Sequence, residues 1–129
     1  MKYRTFLDYI DSSGRNVIEE WLHGLPMQAR VEINTRIQYL EVLENLRRPY
    51  TAMLKGECDG LFELRIKHNK IQYRPLACHG PGKSQVTLLV GAIEKGGRFD
   101  PPSACTTAQD RKSQINEPGR TDEHSFREP

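Results

Sequence analysis

The fold class is indicated first by the stretch LFELRIKHNKIQYR, residues 61–74. Its first half alternates apolar with charged side chains, which is the two-residue period of a strand that buries one face. His68-Asn69 suits a two-residue turn because asparagine tolerates a positive φ. The stretch therefore predicts a β-hairpin with one apolar face and one cationic face.

A turn at His68-Asn69 also predicts the register of the hairpin. The polar side chains then lie on one face, because side chains alternate between the two faces of a strand. Pro75, which lacks a backbone N–H, predicts an edge, a bulge or an early end of the second strand. The pairs in this register are Ile66 with Ile71, Leu64 with Tyr73, Arg65 with Gln72, and Glu63 with Arg74.

The segments on either side of the hairpin indicate an α+β fold. Lys2–Ile10 is rich in strand-forming residues, whereas Asn16–His23 and Met27–Leu46 have apolar residues at helical spacing. Gln85–Glu94 is apolar on both sides, which favours a central strand. Ser103–Ile115 predicts a short last helix.

The predicted order is β-α-α-β-β-β-α, with the strands in one small, curved antiparallel sheet. The two N-terminal helices are expected to form a hairpin on one face of this sheet and to leave the other face open to solvent. A single domain over residues 1–115 is long enough to bury a modest core. Residues 116–129 are polar and lack periodicity, so we expect a disordered tail.

Composition excludes several classes of protein. The chain has no run of about 18 apolar residues, as a transmembrane helix would need, and its charged N-terminus has no signal-peptide core. We therefore expect a cytoplasmic protein. Cys58, Cys78 and Cys105 are widely spaced and form no metal-ligand pattern with the histidines. We expect reduced thiols, no metal site and no cofactor.

Charge is distributed unevenly along the chain. Residues 1–46 contain five Lys/Arg and seven Asp/Glu, whereas residues 47–98 contain ten Lys/Arg and four Asp/Glu. A basic second half suits a polyanionic partner such as a nucleic acid.

The cationic face of the hairpin carries the candidate binding residues. Guanidinium groups hold phosphate through paired hydrogen bonds and remain charged at physiological pH. A cluster of them can position a phosphodiester and stabilise the charge that develops during in-line attack. The basic residues on this face and at the exit of the last strand are Arg65, Lys67, Lys70, Arg74, Lys95 and Arg98.

Proton transfer would need a further residue. RNA cleavage requires no metal ion when the neighbouring 2′-hydroxyl is the nucleophile, and Tyr50, His68 or His79 could then assist. Structural interpretations stay open beside this one. Glu63 and Arg74 could form a simple cross-strand ion pair, and lysines beside a turn are commonly solvated.

Several motifs occur in a characteristic order. They are LKG at Leu54–Gly56, GLFELR at Gly60–Arg65, YR at Tyr73-Arg74, a hydrophobic strand ending in Lys95, and an A-x-x-R-like Ala108–Arg111 in a proline-led helix. Together with the element order, they resemble the RelE/ParE toxin superfamily over residues 2–115, in particular its phage-derived, HigB-like branch.

The resemblance implies the toxin of a type II toxin–antitoxin system, a ribosome-dependent endoribonuclease that cleaves mRNA. Its partners would be mRNA, the ribosome and a cognate antitoxin, typically a helix-turn-helix protein. On this reading Arg65 and Arg74 hold the scissile phosphate. The expected catalytic residues are Arg65, Arg74 and Lys95, and the expected RNA-binding residues are Lys55, Lys67, Lys70 and Arg98.

Departures from the family pattern leave other functions open. Glu94 stands where relatives commonly have the first of two lysines, and Pro75 replaces an aliphatic residue after YR. The last helix has no evident tyrosine or histidine, although some relatives have a catalytic one there. One alternative is a non-catalytic phage- or plasmid-derived module of the same fold that binds RNA or protein. Another is a gyrase-targeting toxin of the ParE type.

Overall fold

The computed structural model describes residues 1–126. Its helices are α1 (Val17–His23), α2 (Met27–Val42) and α3 (Ala104–Lys112), with a 3₁₀ turn at Gly56–Cys58. Its strands are β1 (Thr5–Tyr9), β2 (Thr51–Met53), β3 (Phe62–Leu64), β4 (Ile66–His68), β5 (Ile71–Tyr73), β6 (Leu76–His79), β7 (Gln85–Val90), β8 (Ile93–Lys95), β9 (Arg98–Asp100) and β10 (Thr121–Glu123).

The strands of residues 1–126 form two sheets. One has six strands in the order β10-β1-β7-β6-β3-β2, and the other has four in the order β4-β5-β8-β9. Every pairing is antiparallel except that of β1 with β7. The predicted α+β class is confirmed, and β7 is a central strand, as expected. The single antiparallel sheet was wrong, and the predicted order lacked β2, β9 and β10.

The second sheet arises because each of three predicted strands bends and continues into it. The bends lie at Arg65, at Arg74-Pro75 and at Gly91-Ala92. Backbone hydrogen bonds join neighbouring bends, from Leu64 N to Pro75 O (2.9 Å) and from Arg74 N to Ala92 O (2.8 Å). The predicted interruption at Pro75 is confirmed, and it belongs to a corner shared by three strands.

The turn of the hairpin lies one residue later than predicted. Asn69 and Lys70 have φ values of 50° and 66°, which is the left-handed pair that a tight two-residue hairpin turn requires. His68 is consequently the end of β4, paired with Ile71, and the predicted register was wrong by two residues. Within β4 and β5 the predicted alternation of side chains is kept, because a shift of two residues leaves each side chain on the same face.

Helices α1 and α2 pack on one face of the main sheet, as predicted. Asn16 caps α1 by accepting hydrogen bonds from the backbone N–H groups of Ile18 and Glu19. Helix α2 ends at Val42, earlier than predicted, because the backbone becomes extended at Leu43; Arg4 donates hydrogen bonds to the carbonyl oxygens of Leu40 and Leu43. The buried helix residues of this layer are Ile18, Leu22, Ala29, Ile33, Ile37 and Leu40.

Helix α3 covers the opposite face, which we expected to be open. Ala104 and Ala108 pack against Leu76 and Leu89 in a second buried cluster. With helices on both sides, β7 is buried on both faces, which explains why its sequence is mostly apolar.

A disulfide joins a cysteine of this second cluster to a cysteine that packs against it. Cys58 in the 3₁₀ turn is bonded to Cys105 in α3, with their Cα atoms 5.0 Å apart. The expectation of reduced thiols was wrong for this pair. Cys78 is a buried thiol, and burial raises its pKa to about 11.

The expected disordered tail is wrong for residues 121–123, which form β10 on the edge of β1. The buried His124 follows, with Nδ1 2.7 Å from Asp8 Oδ1 and Nε2 2.8 Å from Asn34 Oδ1. Residues 127–129 of the predicted tail lie outside the described residues. Among residues 1–126, every helix is too short or too polar to cross a membrane.

Candidate nucleic-acid interface

A cationic groove of about 380 Å³ opens beside the corner where the strands bend. We call it the arginine groove. It is lined by Arg36, Pro49, Tyr50, Arg65, Lys67, Gln72 and Arg74. Four of these residues are basic and none is acidic, so the groove suits a phosphate group.

Three separate segments build this groove. Arg65 lies at a strand bend, where its backbone N–H donates to Tyr50 O (2.9 Å) and its carbonyl accepts from Nη1 of Arg36. The first contact holds the segment before β2 against the bend at Arg65, and the second holds the exposed side of α2 against the same bend. Lys67 and Gln72 are Cα partners across the β4–β5 ladder, and both line the groove. The corner therefore draws residues far apart in the chain to one place.

Glu63 is the counter-charge beneath the groove. Its Oε2 lies 3.4 Å from Arg65 Nε and 3.6 Å from Arg74 Nε. Burial raises the pKa of Glu63, and the charges of Arg74 and Arg65 act in the opposite direction. The open alternative that Glu63 and Arg74 form an ion pair is confirmed.

Arg74 is held by the protein on every side, so its predicted place on an open face was wrong. Only 3% of its side chain is exposed. Nη2 donates to Gln72 Oε1 (2.7 Å), Nη1 donates to Tyr73 O (3.2 Å), and Nε lies 3.3 Å from Glu94 Oε1. Burial is possible because these contacts satisfy the guanidinium. Arg74 can therefore hold neighbours in place more readily than it can bind a ligand.

Arg65 is the more accessible arginine of the pair. Its side chain is 32% exposed, and its ion pair with Glu63 is made through Nε. Arg36 and Lys67 line the same groove. Within residues 1–126, neither of them has a carboxylate within ion-pair distance. Positive charge available to a ligand therefore comes from Arg36, Arg65 and Lys67.

Tyr50 supplies the hydroxyl group of the groove. Its ring lies 5.0 Å from the guanidinium carbon of Arg36 and packs edge-on against Tyr39. Hydrogen bonding with Tyr50 is the largest cause of the raised pKa of Tyr39. Of the three residues considered for proton transfer, only Tyr50 lines this groove; His68 ends β4, and His79 ends β6 instead of lying in the predicted loop.

The remaining predicted residues lie elsewhere. Lys55 and His79 line a second groove of about 370 Å³, which we call the outer groove. Lys95, with 70% of its side chain exposed, lies on the β8–β9 hairpin and pairs with Asp100 at 3.5 Å. Arg98 is the Cα partner of Lys95 on that hairpin, and Lys70 is in the β4–β5 turn. The described structure does not bring these last three basic residues into the arginine groove.

Arg36 was absent from the predicted site. It lies on the exposed side of α2 and reaches the groove only because α2 packs beside β4. A polar residue at that position of the helix predicts only that its side chain is exposed to solvent. The sequence around Arg36 therefore contains no local sign of its role. Among residues 1–126, no group of three or more His, Cys, Asp or Glu side chains could hold a metal ion.

Comparison with known proteins assigns the family. No curated protein matches the chain. Residues 20–113 match the family model described as "Phage derived protein Gp49-like (DUF891)", and this segment contains α2, the arginine groove and α3. Because the match covers most of the 129 residues, the chain belongs to this family of phage-derived Gp49-like proteins.

Proposed function

We propose that the chain is the toxin of a toxin–antitoxin system and cleaves mRNA on the ribosome. The observation that carries the proposal is the convergence of Arg36, Arg65, Lys67 and Tyr50 in one groove. Membership of a phage-derived, toxin-like family supports it, as does the resemblance to RelE/ParE toxins. The cytoplasm is where such a toxin would meet ribosomes and its antitoxin.

The proposed reaction is transesterification within the RNA strand. The 2′-oxygen attacks the adjacent phosphorus, the bond from phosphorus to the 5′-oxygen breaks, and the products are a 2′,3′-cyclic phosphate and a 5′-hydroxyl. Water accepts the 2′-hydroxyl proton, and Tyr50 donates its proton to the leaving oxygen before it is reprotonated by water. Arg65, Arg36 and Lys67 stabilise the extra negative charge of the transition state.

Arg74 has a positioning role in this proposal. It lies within ion-pair distance of Glu63, whose other neighbour is Arg65. By sharing that carboxylate, Arg74 prevents Glu63 from neutralising Arg65 fully. The proposal thus differs from the sequence-based expectation, in which both arginines contact the scissile phosphate. It also assigns no catalytic step to Lys95, which lies on a separate hairpin.

The test is induced expression in bacterial cells, with growth and RNA ends as readouts. The wild-type chain should stop growth and leave mRNA fragments with cyclic phosphate and 5′-hydroxyl ends. Arg65→Ala should restore growth, because its loss removes the most accessible guanidinium of the pair. Lys83→Ala, an exposed residue outside both grooves, is the matched control and should remain toxic. Growth arrest with intact transcripts would instead favour a gyrase-type target.

One observation favours a second candidate, a non-catalytic module that binds RNA. The contacts of Arg74 with Glu63, Glu94 and Gln72 leave little of its charge for catalysis. A groove built for binding alone would still need Arg65, Arg36 and Lys67. In that case RNA binding would be measurable, while induction would leave both growth and transcripts unchanged.

A further inference from the structure

We propose that the outer groove binds the base and phosphate of the nucleotide next to the one held in the arginine groove. A single RNA strand would then cross both grooves. This inference rests on the proposed function, because it takes RNA as the ligand of the arginine groove.

The rim of the outer groove is basic. Arg47, Arg48 and Lys55 line it, no acidic residue does, and all three are exposed. Within residues 1–126, none of the three has a carboxylate within 4.0 Å. Unpaired cations around a concavity favour an anionic ligand, and phosphate is the anion that a polynucleotide supplies repeatedly.

The floor of the groove is apolar and partly aromatic. Leu46, Met53 and Phe62 line it together with His79, and the Phe62 and His79 rings lie 5.0 Å apart with a tilt of 36°. Met53 has 65% of its surface exposed, so its apolar side chain is accessible to a ligand. An apolar floor inside a basic rim matches a nucleotide, whose base stacks while its phosphate pairs with cations.

The outer groove adjoins the arginine groove. Arg48 and Thr51 line the outer groove, while Pro49 and Tyr50 between them line the arginine groove. Consecutive Cα atoms are about 3.8 Å apart, so this short segment forms a thin wall between the grooves. Arg47 lies across the wall, with its guanidinium carbon 5.9 Å from the centre of the Tyr50 ring. Neighbouring nucleotides of one strand can therefore occupy both sides.

A peptide strand is the less suitable occupant. The groove borders β2, an edge strand that could pair with another strand. With only three residues, Thr51–Met53, it offers few backbone hydrogen bonds to a peptide. The three cations next to it would need an acidic partner as well. The observations favour RNA, and capture of a protein is left as an outcome of the test.

The experiment measures binding of a labelled single-stranded RNA that carries 2′-O-methyl groups and cannot be cleaved. Fluorescence anisotropy compares the intact strand with strands that lack one base at each position. The wild-type chain should bind about tenfold more weakly when the base is missing at one particular position of the RNA strand. His79→Ala should abolish that sensitivity. A plot of the logarithm of the binding constant against the logarithm of the salt concentration should be less steep, by about 1.4, for the double variant Arg48→Ala with Lys55→Ala. Lys83→Ala should bind like wild type.

The outcomes separate this inference from the proposed function. If the wild-type chain binds and cleaves RNA but the His79 and Arg48/Lys55 variants bind like Lys83→Ala, the inference is wrong and the function stands. If these variants bind RNA normally and lose only inhibition by the antitoxin, the outer groove is a protein-binding site. If the wild-type chain binds no RNA, the inference is wrong, and the induction experiment in cells decides the proposed function separately.

Discussion

The Nε atoms of Arg65 and Arg74 both lie within ion-pair distance of the same oxygen, Oε2 of Glu63, at 3.4 Å and 3.6 Å. The two arginines are nevertheless unlike, because 32% of the Arg65 side chain is exposed and only 3% of the Arg74 side chain is. The carboxylate of Glu63 thus pairs with the buried Arg74 and also with Arg65, which is accessible in the arginine groove. This asymmetry assigns different roles to two residues that look equivalent in the sequence.

The first prediction separates stability from activity at these two arginines. Arg74→Ala should lower the free energy of unfolding by about 3–5 kcal/mol, because it leaves buried Glu63 without its closest buried partner. Arg65→Ala should cost at most about 1 kcal/mol, as expected for a partly exposed pair. Urea denaturation measures both values, and exposed Lys67→Ala serves as the control. Equal losses at the two arginines would contradict the assigned roles.

The second prediction concerns pH and Glu63. Its pKa is raised in the folded chain, mainly by burial, so the folded state binds more protons than the unfolded state between the two pKa values. The stabilisation is complete below the unfolded pKa and is lost as pH rises through the folded pKa.

Glu63→Gln should remove this dependence, since the amide does not titrate. The free energy of unfolding of the wild type, relative to the variant, should fall as pH rises above the pKa of Glu63 in the unfolded chain. Denaturation series at several pH values test this, with Glu57→Gln, an exposed carboxylate outside both grooves, as the control. A relative stability that rises with pH would show that the ion pairs affect the pKa of Glu63 more strongly than burial does.

The third prediction concerns the close contact of Gly91 with Trp21 at the third strand bend. A Cβ atom at residue 91 would lie 1.9 Å from Trp21 Cδ2, far inside contact distance. Gly91→Ala should therefore cost about 1–3 kcal/mol of stability by overpacking. Gly24→Ala is the matched control, since its nearest atom is 3.5 Å away and its φ is −81°.

A second substitution tests whether the indole ring is the cause. Trp21→Ala is itself destabilising because the ring packs against the core. Combined with Gly91→Ala, however, it should cost less than the sum of the two single changes, since the clash has been removed. Thermal unfolding of the four chains gives the coupling energy. Strict additivity would mean that Gly91 is required for another reason.

The fourth prediction concerns the disulfide. Labelling of thiols in the unfolded, unreduced chain should modify Cys78 alone, and reduction should expose Cys58 and Cys105 as well. In the folded chain Cys78 should react slowly, because its pKa of about 11 keeps it protonated. Three reactive thiols without a reductant would contradict the link between the 3₁₀ turn and α3.

The disulfide should also contribute to stability. The chain-entropy relation for a closed loop of this length, with a sequence separation of 47 residues, gives about 4 kcal/mol. Denaturation of Cys58→Ala with Cys105→Ala, compared with the unreduced wild type, measures the contribution. The Gln109 side chain should still hold α3 to the turn, through Glu57 O and Asp59 O. Equal stability of the two proteins would show that the disulfide does not contribute to the free energy of unfolding.

Much of the fold is determined within short stretches of sequence. The alternation in residues 61–67 places Arg65 and Lys67 on one face and Leu64 and Ile66 on the other, whatever the register. The caps and apolar spacing of α1, and the two-sided apolar character of β7, are likewise local properties. These features depend on backbone preference and on burial of nearby side chains. The spacing of apolar residues in the sequence therefore indicates them directly.

The site itself was decided by the tertiary structure. Bends at Arg65 and Arg74-Pro75 turn the strands into a second sheet, and only then do α2 and the segment before β2 approach them. That approach brings Arg36 and Tyr50 to Arg65 and buries Arg74 against Glu63, whereas Lys95 is carried away on its hairpin. Contacts between separate elements depend on how whole elements pack. No local period of the sequence encodes which of its many cations will meet.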